Sequence, residues 1–198
     1  MRKPADLRKA EIIATVLALA DRIGPDRVTT GAVAAEVGVT QAALFRHFPS
    51  KSAMWQAVAD HVAGELSAAW DEALARQGGS LDRLTALFAA QLDRIATIPA
   101  LPMLLFSREL NVENDALRAI FRGRLSAFHG LLMQEVGLGQ AAGRLRADVA
   151  PADVAVLLTS LVQGVAIRWT LGARDFPLVA EGLRLLGVQL RLLSAKEA

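Results

Sequence analysis

The stretch from Asp26 to Lys51, DRVTTGAVAAEVGVTQAALFRHFPSK, constrains the fold more than any other part of the chain. Val33 and Val37 are about one helical turn apart, and Gly38 follows at the point where a first helix must end. A second, short helix, Thr40–Phe48, can then begin at its own threonine cap. Two short helices joined by a glycine turn predict a helix-turn-helix.

The predicted second helix has one apolar side and one polar side. If Ala43, Leu44 and Phe48 face inward, three polar side chains remain on the outside: the amide of Gln41, the guanidinium of Arg46 and the imidazole of His47. Such a surface suits insertion into the DNA major groove. We therefore expect some of these residues to read bases and others to position the helix on phosphates. The predicted base contacts are Gln41 and Arg46, with Ala42 against a thymine methyl, and the predicted phosphate contacts include Thr30, Thr40 and His47.

Residues 10–62 resemble the N-terminal domain of TetR-type bacterial transcriptional repressors. The resemblance is carried by a long amphipathic first helix, then VTTGAVAAEVGVT, then ALFRHFPSK at the start of a fourth helix. It implies a phosphate contact for Lys51, the alternative being a solvated lysine. The family usually has a tyrosine where this chain has Phe45, which has no hydroxyl for a phosphate. We expect Phe45 to pack against a sugar or a thymine methyl instead.

Thr29 or Thr30 is expected to cap the helix before the turn, and either hydroxyl could also reach a phosphate. Ahead of the first helix, a basic tail of Arg2, Lys3, Arg8 and Lys9 would lie along the DNA or remain a solvated tail. The net charge is only +2. The surplus of positive over negative charges lies in the first 60 residues, which is weak support for a nucleic-acid partner.

Composition favours an all-α protein. Of 198 residues, 53% are hydrophobic and only 5% aromatic, and helix formers dominate without runs of β-branched residues. The chain has no cysteine, so it has neither a disulfide framework nor a thiolate zinc site. We found no uninterrupted apolar run near the ~18 residues of a membrane span, and no signal-peptide core at the N-terminus, so we expect a cytoplasmic bacterial protein without a membrane partner.

The pattern predicts about nine helices in two domains. Residues 1–50 would form a three-helix helix-turn-helix DNA-binding domain, and residues 51–198 a helical domain for effector binding and dimerisation. The expected helices are Leu7–Ile23, one after Thr29 or Thr30, Thr40–Phe48, Lys51 to about Arg76, Leu81–Thr97, a short segment Met103–Leu110, Asn114 or Asp115 to about Val136, Pro151–Leu171 and Leu178–Leu193, with residues 137–150 as a loop.

The last two helices are apolar on nearly every side. A monomer cannot easily bury both faces, so we expect a partner surface, the alternative being a helix buried within one monomer. The family resemblance implies that these helices pair with their copies as a four-helix bundle in a homodimer, which would bind a palindromic operator in double-stranded DNA. The interface candidates are Val154, Leu157, Leu158, Leu161, Val165, Trp169, Leu183, Leu186 and Leu190.

Aromatic, methionine and polar residues are spread over the middle helices of the second domain. They form either an ordinary core or, as the resemblance implies, a small-molecule pocket. Polar side chains turned inward there would need a partner that an effector could supply. The effector of such a site would be largely apolar. The pocket candidates are Trp70, Phe88, Gln91, Arg94, Met103, Phe106, Arg108, Phe121, Phe128 and His129.

No pattern predicts catalysis, a metal or a cofactor. The segment GLGQAA, residues 137–142, fits a dinucleotide-binding pattern, but it follows a helix and not a strand. The three histidines are widely separated. The favoured function is a DNA-binding repressor that a small molecule releases from its operator. The alternatives are a DNA-bound adaptor that recruits a protein partner, and a small-molecule-binding protein or enzyme with a vestigial helix-turn-helix.

Overall fold

The computed structural model describes residues 4–108 and 112–195, and within these ranges the chain is helical and has no strand. The predicted tail residues Arg2 and Lys3, and the end of the predicted segment Met103–Leu110, lie outside the described residues. The helices are α1 (Ala5–Ile23), α2 (Thr30–Val37), α3 (Gln41–Phe45), α4 (Lys51–Leu74), α5 (Ser80–Thr97), α6 (Leu101–Leu104), α7 (Asp115–Ala141), α8 (Pro151–Leu171) and α9 (Leu178–Leu193), with a 3-10 turn at Pro25–Arg27.

The first compact unit comprises Met1–Gly64 and Ile98–Arg122. Within it α1 packs against α2, and α2 packs against α3. Each of these helices buries apolar side chains completely: Ile12 in α1, Val33 in α2 and Leu44 in α3 are all 0% exposed. Burial of apolar area is the main force that holds such short helices in place, because a helix of five or eight residues is not stable alone.

The second unit comprises Glu65–Thr97 and Gly123–Ala198. In this unit α5 packs against both α8 and α9, and α8 packs against α9. The approach of α9 to α5 is close at Gly182, where a Cβ atom would stand 2.1 Å from Cδ1 of the buried Leu92. A charged pair joins α5 to α7, since Arg83 Nε donates to Glu135 Oε2 over 2.8 Å.

The predicted bounds lie within two residues of the observed ones at most helix ends, but two short helices differ. Helix α3 ends at Phe45 and not at Phe48, and the short segment expected at Met103–Leu110 is the helix Leu101–Leu104, because Pro102 fits the first turn of a helix and does not exclude one. The bounds of α8 and α9 are those predicted, whereas α7 continues to Ala141 through the start of the predicted loop. Gly139 does not end the helix: a Cβ there would be 3.0 Å from Leu145 Cδ1 and 3.1 Å from Ser80 Oγ, so the glycine permits close packing. The turn comes later, at Gly143, whose φ of 68° is left-handed.

Helix α8 is unusually apolar. Within the described residues it is the one helix long and apolar enough to cross a membrane by length and composition alone, with a mean hydropathy of 1.6 over its most apolar window. The sequence criterion of an uninterrupted run missed it because polar residues such as Thr159 and Gln163 divide the apolar ones. Core helices of water-soluble proteins meet the same criterion, and α8 packs against two helices of its own unit.

Candidate nucleic-acid interface

Two threonine caps and one glycine turn set the geometry of the helix-turn-helix. Thr29, and not Thr30, caps α2, because its Oγ1 accepts a hydrogen bond from the backbone N–H of Ala32 at 3.1 Å. Gly38 ends α2 in the left-handed conformation, with φ 73° and ψ 35°. Thr40 then caps α3 by accepting from the N–H of Ala43 at 3.1 Å. Local side chains therefore determine where each helix begins and ends.

The side chains of α3 and of the three residues after it divide between core and solvent as the sequence predicts, except that Ala43, expected to face inward, is only half-buried. Leu44 and Phe48 are buried, at 0% and 5% exposure. Gln41, Ala42 and Arg46 are exposed, His47 is half-buried, and Phe45 retains 38% of its surface in contact with solvent. The outer side of α3 thus presents the amide, the methyl and the guanidinium together. Their contact with DNA stays a prediction.

One hydrogen bond joins two predicted DNA contacts. Gln41 Nε2 donates to Oγ1 of Thr30 over 2.8 Å, which connects the first residue of α3 to the first residue of α2. Gln41 is exposed and Thr30 is half-buried. The amide therefore has a defined orientation on the surface before any ligand arrives. The sequence gives no sign of this contact, since the two residues are eleven positions apart and lie on different helices.

A cavity of about 210 Å³ lies beside α3, between the start of α1 and the two residues that follow α3. Arg46 and His47 line it, and their side chains have no polar partner among the described residues. Arg8 also lines it, but its guanidinium donates to Glu11 at 2.9 Å. Unpaired donors beside an apolar surface that includes Ile12 suit the sugar-phosphate backbone of DNA.

An ion pair fixes α1 to α2 behind this surface. Arg22 donates two hydrogen bonds to the carboxylate of Glu36, at 3.2 and 2.9 Å. These hydrogen bonds, and then the positive charge of Arg22, lower the pKa of Glu36 from its ordinary value. The same bonds, and then the negative charge of Glu36, raise the pKa of Arg22. Both side chains are exposed to solvent, so the pair specifies the geometry more than it stabilises the fold.

Lys51 lies in the first turn of α4, next to the cap that Ser50 provides to Ala53 at 3.0 Å. Its Nζ is 3.8 Å from Glu113 Oε2, and the same carboxylate is 3.5 Å from Nε of Arg108. The predicted phosphate contact of Lys51 would therefore compete with a carboxylate of its own unit. Sequence reasoning missed Glu113 because 62 residues separate it from Lys51 in the chain.

Three of the effector-site candidates contact one another in the second unit, and their role as a binding site stays a prediction. The indole Nε1 of Trp70 donates to Gln91 Oε1 at 3.0 Å, and the rings of Trp70 and Phe128 have centroids 5.3 Å apart. Phe88 is also completely buried in this unit. The contacts of Trp70 with Gln91 and Phe128, and the burial of Phe88, fit an ordinary core as well as a pocket wall.

The other polar candidates already have partners within the protein. Arg94 pairs with Asp93 at 2.6 Å and Glu65 at 3.2 Å, and the hydrogen bond to Asp93 is the main cause of its raised pKa. His129 Nε2 lies 3.2 Å from the carbonyl of Ala152. Among the described residues of the second unit, no buried side-chain polar atom lacks a hydrogen-bond partner, so none requires an effector as its partner. The one described buried side-chain atom without a partner, Trp55 Nε1, lies in the first unit and is not among the effector-site candidates. The remaining candidates belong to the first unit: Met103 and Phe121 are half-buried, and Phe106 and Arg108 are exposed.

The nine dimer candidates occupy two different environments. Five are already buried within the protomer, because α8 and α9 use one apolar face against α5 and each other. The remaining four are accessible, with Leu157 at 52% exposure and the others half-buried. The buried five are Val154, Leu158, Val165, Trp169 and Leu186, and the accessible four are Leu157, Leu161, Leu183 and Leu190.

Among the residues that the structure describes, no three His, Asp or Glu side chains are arranged to hold a metal ion. What the geometry does provide is a capped helix-turn-helix with an exposed recognition helix on an all-α scaffold. This arrangement defines the class of helix-turn-helix DNA-binding regulators.

The chain belongs to the TetR family of bacterial regulatory proteins. Residues 12–58 match the sequence model of that family, and residues 80–187, more than half of the chain, match the model of the C-terminal domain of BetI-type transcriptional repressors. These matches confirm the predicted family of bacterial regulatory proteins, and the helices of the described residues confirm the predicted all-α fold. Members of the family bind DNA, some bind small molecules, and homodimers are typical.

Individual relatives agree with this assignment. The chain is 32% identical over 96 residues to the nucleoid occlusion factor SlmA of Haemophilus influenzae (strain PittGG), a match that covers 48% of this chain and 44% of that protein. The chain thus spans about half the length of the curated relatives that it matches first.

Solved structures extend the likeness over nearly the whole fold. A putative transcriptional regulator from Saccharomonospora viridis in complex with choline has a TM-score of 0.84 and 19% identity, with 97% of this chain and 100% of that one covered. The ketosteroid transcriptional regulator KstR2 of Mycobacterium tuberculosis has a TM-score of 0.79 and 20% identity, with 96% of each chain covered. At such identities the likeness shows the fold alone.

Proposed function

We propose that this protein is a homodimeric repressor that binds a two-fold symmetric DNA operator and is released by a small molecule. The observation that carries the proposal is the outer side of α3, where Gln41, Ala42 and Arg46 are exposed over a buried Leu44. Because α3 is capped at its start and packed on its inner side, its backbone is already ordered before it meets base edges. This lowers the conformational entropy that is lost on binding DNA.

The side chains divide into two roles. Gln41 and Arg46 read base edges, and Ala42 contacts a thymine methyl. Thr30, Thr40, His47 and Lys51 bind phosphates, which fixes the register of the helix on the duplex. The capping oxygen of Thr40 accepts from the protein, and its hydroxyl hydrogen is the part that would donate to a phosphate. Phe45, 38% exposed, packs against a sugar or a thymine methyl.

The homodimer forms through the faces of α8 and α9 that the protomer leaves accessible. On α8, Val156 and Leu157 are half exposed, and a Cβ at Gly164 would meet no atom within 4 Å in the protomer. On α9, Leu183 and Leu190 are half-buried. Apolar side chains with a glycine between them allow two helices to approach closely, and a two-fold axis would place two copies of α3 about one DNA turn, roughly 34 Å, apart.

An effector acts by favouring a dimer whose recognition helices have the wrong spacing, which shifts the population away from DNA. The apolar cluster of Trp70, Phe88 and Phe128 is the candidate wall of its site, with Gln91 as a polar contact, so the expected ligand is largely apolar. Of the similar structures, one was solved in complex with choline and another is a ketosteroid transcriptional regulator, so the same fold serves regulators linked to chemically different small molecules. The protein acts in the cytoplasm, where the DNA is.

A second candidate function is a DNA-bound adaptor that recruits a protein partner. It is favoured by the sequence likeness to the nucleoid occlusion factor SlmA. The two functions differ in a simple measurement. A repressor of the first kind loses its operator when the effector is added, whereas an adaptor keeps its DNA when its partner binds.

Variants on the best-bound DNA fragment test the proposed roles. Gln41→Ala and Arg46→Ala should each lose about 1–3 kcal/mol on the preferred sequence and relax the choice of base at one position. Lys51→Ala should weaken binding to all sequences alike and reduce the salt slope by about one for each protomer. If Lys51→Ala changed the preferred sequence instead, the division between base-reading and phosphate-binding residues would be incorrect.

A further inference from the structure

The hydrogen bond between Thr30 and Gln41 has a consequence for which base the protein selects. The hydroxyl of Thr29 caps α2, so the hydroxyl of Thr30 is not needed as a helix cap. Apart from Gln41, the Thr30 hydroxyl has no polar partner among the described residues. Its Oγ1 is 2.8 Å from Gln41 Nε2, at the exposed edge where α2 and α3 both begin. A residue of one helix therefore holds the base-reading amide of the other.

A phosphate determines the direction of this hydrogen bond. A hydroxyl has one hydrogen to donate, and a phosphate oxygen can only accept. When Thr30 binds a phosphate, as the proposed function expects, its hydrogen is used there. Its oxygen can then only accept, so the amide nitrogen of Gln41 must face it. The carbonyl oxygen of Gln41 is left directed away from Thr30, together with the second hydrogen on Nε2.

This orientation fits one base best. Adenine presents a donor at N6 and an acceptor at N7 in the major groove, and a glutamine amide can bind both at once. Cytosine presents only the N4 donor, which the Gln41 oxygen can accept. Guanine presents acceptors at O6 and N7, and thymine presents an acceptor at O4 and a methyl group. In the same position, guanine O6 or thymine O4 would face the carbonyl oxygen of Gln41, so that two acceptors would meet with no hydrogen between them.

We propose that Thr30 is a specificity-determining residue, which connects a DNA phosphate to the amide of Gln41 and makes that amide select adenine, with cytosine second. The inference rests on the proposed function, since it requires DNA at this surface. Without the Thr30 hydroxyl the amide can turn over, and Gln41 can then donate both Nε2 hydrogens to guanine. Thr30 thus affects the choice of a base that it does not touch.

Selection from DNA with randomised half-sites tests the role of Thr30. The variants are Gln41→Ala, which identifies the position read by Gln41, Thr30→Val, which keeps the branched shape but removes the hydroxyl, and Thr30→Ser, which keeps the hydroxyl. The wild type should enrich adenine at the Gln41 position. Thr30→Val should lose roughly 5- to 150-fold discrimination there, the equivalent of one paired base contact, with guanine or thymine rising. Thr30→Ser should retain the wild-type choice.

Base analogues provide a second readout on the full protein. Replacing the selected adenine by purine removes the N6 donor, and replacing it by 7-deazaadenine removes the N7 acceptor. Each should weaken the wild type and weaken Thr30→Val less. A general loss of affinity in Thr30→Val follows from the lost phosphate contact and is measured separately on unrelated DNA.

Three results would overturn the inference: Thr30→Val keeps the adenine preference, Thr30→Ser loses it as fully as Thr30→Val does, or the base that depends on Gln41 is guanine or thymine. Failure of the proposed function itself looks different. In that case the wild type would select no sequence at all.

Discussion

Removing the carboxylate of Glu113 should strengthen DNA binding through Lys51. The two side chains are 3.8 Å apart, and they retain 36% and 45% of their surface. Two unit charges at that distance attract by about 1 kcal/mol in water, and exposed pairs are measured at about 0.2–1 kcal/mol. This attraction must be given up when Lys51 moves to a phosphate. Glu113→Gln should therefore raise affinity by roughly 1.4- to 5-fold for each protomer, and more weakly at high salt.

A double-mutant cycle isolates this effect from general charge repulsion between Glu113 and DNA. The affinity for one operator is measured by fluorescence anisotropy for the wild type, Lys51→Ala, Glu113→Gln and the double variant, at two salt concentrations. Asp115→Asn is the matched control, because this nearby carboxylate pairs with Arg118. It should change affinity by the same factor whether or not Lys51 is present.

The gain from Glu113→Gln should largely disappear in the Lys51→Ala background. An equal gain in both backgrounds would show that Glu113 repels DNA without competing for Lys51. A change in the preferred sequence would refute the phosphate role of Lys51 itself.

Further variants separate folding, assembly and DNA binding. Arg83→Met should lower the free energy of unfolding by about 3 kcal/mol in urea titrations, because it leaves the buried carboxylate of Glu135 unpaired. Adding Glu135→Leu should recover most of the loss, and no recovery would refute the pairing argument. Gly164→Phe should yield a folded monomer by light scattering, whereas Gly182→Phe, which has no room in the protomer, should unfold at lower temperature; a Gly164→Phe dimer would refute the interface. Thr40→Ala should lose a cap worth about 1 kcal/mol and weaken binding to every DNA sequence, with Thr40→Ser as the control that should not.

The helix boundaries could be predicted because local chemistry determines them. The N-terminal cap of α3 is the hydroxyl of Thr40, the end of α2 is a left-handed Gly38, and α8 begins at Pro151. The error at the end of α7 has a different cause. The sequence predicts that the helix ends at Gly137, but α7 continues through it and through Gly139, which makes a close contact with Leu145 that only the tertiary structure reveals.

The exposed residues of α3 could likewise be predicted, because periodicity alone places Leu44 inside and Arg46 outside. Contacts between distant segments could not. The bond from Gln41 to Thr30 depends on how two helices cross, and Glu113 reaches Lys51 from far along the chain. Neither pair is marked by any local pattern.

The dimer candidates illustrate a third limit. Helices α8 and α9 are apolar on two faces, and hydrophobicity cannot tell the face that packs within the protomer from the face that meets a partner. Leu158 is completely buried in its own unit, while its neighbour Leu157 is half exposed. Both are apolar in the sequence, and only the tertiary packing separates their roles.

Selection of genomic fragments on the purified protein, followed by a salt titration of the best fragment, tests whether α3 is a sequence-specific recognition helix. The account predicts a two-fold symmetric sequence with half-site centres about 10–10.5 base pairs apart, or a multiple of that spacing, bound by two protomers. Its affinity should fall steeply with salt and collapse in Arg46→Ala. Binding no tighter than to bulk DNA, or an unchanged affinity in Arg46→Ala, would contradict the assignment of α3 as the recognition helix.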